Sequence, residues 1–167
     1  MKQPKPIHAD LFAAQKCAYE ANGLLCSDIV QESESREYGA CTFQMNNKII
    51  KFRVAKITPT KVGQFVTFWK RIADGPIMPY NLHDAFDLLV VSVRTPHHLG
   101  QYILPKDVLW QNGLLSKGGV GGKRAMRVYP PWDTADNVQA KKAQEWQNKY
   151  FVEINPHMDT LKLQKLF

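Results

Sequence analysis

The chain has 167 residues, 44% hydrophobic and 22% charged, and its 22 lysines and arginines outnumber 15 acids for a net charge of +7. That size suits one domain with a sizeable core, and no apolar run reaches the roughly 18 residues of a membrane-spanning helix. The opening MKQPKPIHADLF has lysines without an apolar stretch behind them, and Cys17, Cys26 and Cys41 lack metal-pair spacing, so the expectation is a reduced, cytoplasmic protein without a secretory leader or membrane contact.

Residues 1–8 are expected to be a flexible arm. Residues 9–22 read as a helix, with Leu11, Phe12, Ala18 and Tyr19 on one face and Asn22-Gly23 as a stop. Two β-rich runs, 40–45 and 48–57, flank Asn46-Asn47, which predicts a hairpin because asparagine tolerates positive φ. Residues 59–73 follow: Val62, Phe65, Val66, Trp69 and Ile72 recur at helical spacing, which predicts a helix with Lys61, Gln64 and Arg71 on its polar stripe. A proline-containing link, 74–80, leads to FDLLVVSVR, a nearly all-apolar run expected as a central strand buried on both faces. A short strand, a proline-initiated helix from Lys106 to Gln111, the strand RAMRVY and a helix from about Thr134 to Phe151 complete the chain. The order predicts a single α/β (α+β) domain over 1–167, a central mixed sheet flanked by helices.

Three stretches could carry chemistry. GGVGGKR is not a phosphate-binding loop of the Walker type, because Lys117 takes the place of its first glycine and Arg124 the place of its Ser or Thr. Glycine content alone reads as a connection; the company of Lys117, Lys123, Arg124 and Arg127 argues for a surface that closes onto phosphates. In RAMRVYPPW, strand alternation puts Arg127 and Tyr129 on one face with Trp132 past a proline corner. That pairing suits stacking on unpaired bases, although aromatics also plug core edges. In KIIKFRVAKI, Lys56 extends the apolar face of Ile50, Phe52 and Val54, a costly place for an unpaired lysine.

A strand ending in lysine before an amphipathic helix resembles the PD-(D/E)xK nuclease core, where an acid two residues upstream helps hold Mg²⁺. Here that position is Val54, leaving Lys56, Glu37 and Asp87 as candidate catalytic groups only if they converge. No histidine–cysteine set has zinc spacing, so no metal site and no cofactor is assigned, Mg²⁺ entering only with the nuclease alternative.

Taken together, SREYGACTF, KFRVAKITPTKVGQFVTFWKR, GPI, LLVVSVR, ILPKDVL, GGKRAMRVYPPWD and YFVEI resemble the MepB family of small bacterial proteins, from about Glu37 to Ile154. The resemblance implies a compact α/β domain and makes nucleic-acid association the leading proposal, without supplying a reaction. Its motifs map onto Arg36, Lys56, Lys61, Gln64, Arg71, Arg94, Lys123, Arg124 and Arg127. The expected function is nucleic-acid binding, to DNA or RNA and to paired or unpaired strands, on a restriction-endonuclease-like scaffold. Those residues would contact phosphates, and Tyr129 and Trp132 would stack on bases. The alternatives are a divergent Mg²⁺-dependent nuclease and a regulatory protein whose basic face meets an acidic protein partner.

Overall fold

The computed structural model describes residues 6–167; residues 1–5, most of the expected arm, lie outside the described residues. Helix α1 (Ala9–Ala14) starts at His8, whose Nδ1 accepts from the Asp10 N–H at 3.0 Å. The chain continues through a π turn, Gln15–Tyr19, and a 3₁₀ turn, Glu20–Asn22, so the expected helix over 9–22 exists with changing pitch. Strands β1 (Ser27–Gln31), β2 (Cys41–Met45), β3 (Lys48–Val54), β4 (Lys56–Ile57) and β5 (Gln64–Thr67) follow. Next come β6 (Leu88–Arg94), β7 (Leu99–Pro105) and helix α2 (Lys106–Gln111). Then β8 (Ser116–Lys117), β9 (Val120–Gly121) and β10 (Ala125–Val128) lead to α3 (Val138–Asn148), β11 (Phe151–Glu153) and α4 (Thr160–Leu166).

Six strands form the main sheet in the order β1-β2-β3-β6-β7-β11. Only β3 and β6 pair in parallel, Ile50 opposite Leu88 and Val54 opposite Ser92; the other four pairings are antiparallel. The sheet is mixed, as expected, and mostly antiparallel. Asn46 and Asn47, both at positive φ, make the tight turn between β2 and β3.

Each face of this sheet carries a core. Leu88 and Val90 of β6 join Phe43, Ile50 and Phe52 against Leu11 and Tyr19 from the N-terminal helical segment and Leu163 of α4. Leu89, Val91 and Val93 face the other way, onto Val66, Phe68, Leu109, Met126 and Val128. Strand β6 is therefore buried on both sides, which is why it lacks polar alternation.

A second, smaller sheet, in the order β10-β5-β4, covers that second core. It replaces the helix expected over 59–73. From Gln64 to Phe68, buried and half-buried residues alternate, the period of a strand. Gly63, at φ +83°, also needs a left-handed backbone that a helix interior forbids. The strand-and-helix sequence that a restriction-endonuclease-like core would place around Lys56 is thus a strand followed by another strand. Helix α3 is shorter than the expected 134–151, since the chain re-enters the main sheet at Phe151.

Candidate functional site

The small sheet sets out a row of side chains. Lys56 and Arg127 stand opposite Phe65 on either side in the β4–β5 and β5–β10 pairings, so the three share the outer face. The neighbouring row, Gln64 with Val128, is buried. Lys56 is therefore not on the core face. The main strand ends at Val54, Ala55 donates its N–H to Ser92 O, and the chain passes to the second sheet with its alternation reset. Lys56 Nζ lies exposed, 4.5 Å from the centroid of the Tyr38 ring.

Between this outer face and α3 opens a cleft of about 580 Å³. Lys61, Lys123 and Arg127 line it together with Tyr129, Phe65 and Trp146. Helix α3 holds the far wall in place through two glutamines. Gln147, buried, accepts from the Tyr129 N–H at 2.9 Å and donates to Arg127 O at 3.0 Å. Gln144 donates to Pro130 O and Asp133 O at 3.1 and 2.9 Å, fixing the Tyr-Pro-Pro-Trp-Asp corner. Asp133 accepts from the Gly63 N–H; burial raises its carboxyl above the ordinary value, and that hydrogen bond partly offsets the rise.

Arg127 is braced from one side. Its Nη1 donates to Thr58 Oγ1 at 2.9 Å, with Gly63 O and Val62 O at 3.3 and 3.4 Å, and its guanidinium lies 5.9 Å from the Phe65 ring centroid. Among the described residues none of Lys61, Lys123 and Arg127 forms an ion pair. Among the described residues Asp136 is the one carboxylate on the cleft lining.

The other predicted residues fall elsewhere. Arg71 pairs with Glu34 at 3.2 Å and Arg94 with Asp10 at 2.8 Å. Gln64 is buried in β5, donating to Arg94 O at 3.2 Å, so the helix stripe of Lys61, Gln64 and Arg71 does not exist. Arg36 lines a separate cavity of about 320 Å³ with His8 and Cys41. Arg124 is exposed beside Lys123, and its carbonyl accepts from Phe68 N–H at 2.9 Å. Trp132 is half-buried, its ring 4.6 Å from that of His98 at 12°, with Phe151 edge-on at 5.6 Å. It packs on the second core rather than facing the cleft.

Lys56, Glu37 and Asp87 do not converge. Asp87 precedes β6, its Oδ2 accepting from Ile49 N–H at 2.8 Å. That is the far end of β3, about 17 Å of strand from Val54. Among the described residues no three His, Cys, Asp or Glu side chains form a group that could hold a metal ion.

The glycine-rich stretch is a hairpin, not an open flap. β8 and β9 pair antiparallel, and Gly118-Gly119 turn between them at φ +58° and +75°. Lys117 leans to within 5.9 Å of the Trp110 ring, away from the cleft, whereas Lys123 lines it.

The buried charge that sequence reasoning assigned to Lys56 belongs to Arg53. This arginine is fully buried, held by Glu32 through Nη2–Oε2 at 2.7 Å and Nη1–Oε1 at 3.2 Å. Lys51 and Thr42 also reach Glu32 Oε1, at 3.1 and 3.0 Å. Burial works to raise the Glu32 carboxyl, but Arg53 and Lys51 more than reverse this and hold it below its ordinary value.

Comparison with known proteins adds two findings. A family model described as MepB-like matches residues 32–153. A solved structure described as the crystal structure of MepB is 35% identical, covering 78% of this chain and 87% of its own, with a TM-score of 0.75. No curated protein matches the chain.

Proposed function

The chain belongs to the MepB-like family, and from that premise we propose that its cleft binds nucleic acid, Lys61, Lys123 and Arg127 gripping phosphates and Tyr129 offering its ring to a base. The observation that carries the reading is the gathering of three cations in one cleft. Arg53, Lys51, Arg71 and Arg94 all have carboxylate partners, whereas the three cations of the cleft have none among the described residues. Unpaired cations gathered in one concavity, beside aromatic rings, favour a polyanion that carries flat groups. An acidic protein partner would meet the same charges but leaves the ring-lined depth without a use.

The divergent nuclease is not favoured, because Asp87 stands at the opposite end of β3 from Lys56 and no three His, Cys, Asp or Glu side chains among the described residues form a metal-holding group. Binding to labelled oligonucleotides, followed by anisotropy across a salt series, tests the proposal. Log affinity is expected to fall with log salt by roughly 0.7 to 0.9 per phosphate contact. Lys61→Ala and Lys123→Ala should each weaken binding and flatten that slope by about one contact. A salt-independent affinity, or no binding at low salt, removes the proposal.

A further inference from the structure

Resting on the nucleic-acid reading, we infer that the cleft is built for a nucleotide that ends in a phosphomonoester, the terminal phosphate of a strand, rather than for a phosphodiester within one. Among the described residues the lining carries Lys61, Lys123 and Arg127 against Asp136 alone, a surplus of two positive charges. An internal phosphodiester brings one negative charge. A phosphomonoester carries about −1.5 to −2 near pH 7, with three acceptor oxygens. The surplus matches the second and exceeds the first.

The surrounding geometry agrees. Arg127 commits Nη1 to Thr58, Val62 and Gly63, while Nε and Nη2 have no hydrogen bond within the described residues. Lys61 and Lys123 are exposed, and neither side chain has a hydrogen bond there. The first turn of α3, an 11-residue helix, also reaches the cleft through Asn137, Gln139 and Ala140. Asn137 Oδ1 takes the Ala140 N–H, but the N–H groups of Val138 and Gln139 have no acceptor among the described residues. These supplement the cations and do not carry the inference. The volume, about 580 Å³, lies within the roughly 300–1,000 Å³ of pockets that seat small ligands, the scale of a nucleotide and not of a duplex cross-section. Phe65, Tyr129 and Trp146 supply the apolar surface a terminal base would meet.

The same chemistry is present on a free nucleoside monophosphate, so the test needs arms for both sources. One short single-stranded oligonucleotide is prepared with a 5′-phosphate, with a 3′-phosphate, and with hydroxyls at both ends. Anisotropy at fixed low salt should show that a phosphate on one end tightens binding roughly tenfold, the order of one added charge-assisted contact. Lys61→Gln and Lys123→Gln, which leave the protein's own hydrogen bonds intact, should weaken binding of every strand but that of the phosphorylated one further, so that most of the gain is erased.

The gain should also shrink as pH falls from about 7.5 to 5.5, because the phosphate's second ionisation lies near 6. The charged or titratable groups facing it are Lys61, Arg127, Tyr129, Lys123 and Asp136, none a histidine. A free nucleoside monophosphate that displaces the phosphorylated strand at comparable concentration supports the same site and names its other source. Equal affinity for phosphorylated and hydroxyl-ended strands overturns this inference and leaves nucleic-acid binding standing. Failure of every oligonucleotide to bind overturns both.

Discussion

A single buried arginine shows what one residue can impose on its surroundings. Arg53 lies between Glu32 and the Phe68 ring, 5.6 Å from the ring centroid, with no exposed surface. Removing its carboxylate would leave a charge in the interior. Glu32→Gln is therefore expected to lower unfolding free energy by about 3 kcal/mol, the low end for breaking a buried pair because Glu32 keeps some exposure. Denaturant titration measures it; a change under about 0.5 kcal/mol, the surface-substitution scale, would show that the pair does not hold β3 to the segment after β1. The same carboxyl makes stability depend on acid. Its folded value is depressed below 4.5, so its contribution is complete above the unfolded value and is lost as pH falls through the folded one. Wild type should thus lose stability more steeply than Glu32→Gln on acidification below about 4.5. Sequence reasoning anticipated a charge on the core side of this segment but fixed on Lys56. Arg53 was hidden because alternation sets it beside Lys51 on the charged face of β3, and Phe68, which covers it, is distant in sequence.

At the scale of elements, the misread segment is the instructive one. Val62, Phe65, Val66, Trp69 and Ile72 fit a helix by spacing, yet Val62, Val66, Thr67 and Phe68 belong to residue types that favour pleated surfaces. Gly63 decides the matter: a Cβ there would stand 2.7 Å from both Tyr129 Cδ1 and Val128 O. Gly63→Ala is expected to cost about 1–3 kcal/mol from the left-handed backbone and more from pushing β10 away from β5. It should lower Tm and oligonucleotide affinity together. Gly118→Ala meets nothing within 4 Å, so it should cost only the roughly 1–2 kcal/mol of its φ and leave affinity unchanged. Parallel effects of the two would contradict a cleft anchored at the β5–β10 pairing. Trp146 and Gln147, absent from the sequence-based site, share a stripe of α3 with Ala140 and Ala143. That spacing was legible; what it faced was not, because the cleft forms only once β10 pairs with β5, whose apolar spacing fits a helix.

For the whole molecule, the sequence conveyed the hairpin at Asn46-Asn47, the doubly buried strand and the mixed sheet, since each rests on local periodicity or turn chemistry. It did not convey the second sheet, whose β5–β10 pairing joins residues some sixty positions apart through a strand without alternating polarity. Nor could it show which cations find acids, because Arg71–Glu34 and Arg94–Asp10 are distant in sequence. Stability should follow the architecture. Amides of Leu88–Ser92, in the part of β6 paired with both β3 and β7, should be the slowest to exchange with deuterium, and those of the exposed residues 117–121 of the β8–β9 hairpin among the fastest. Comparable rates in the two would refute the central position of β6.

One further consequence follows from the layer opposite the cleft. Ile7 and α1 pack on the first core with α4, the Tyr19 and Phe167 rings meet at 5.2 Å, and Lys48 Nζ donates to Phe167 O at 2.9 Å. Lys61, Lys123 and Arg127 open from the other side of the sheet. A tether attached near Pro6 thus holds the molecule by its back, so surface immobilisation at that point leaves the mouth of the cleft facing solution.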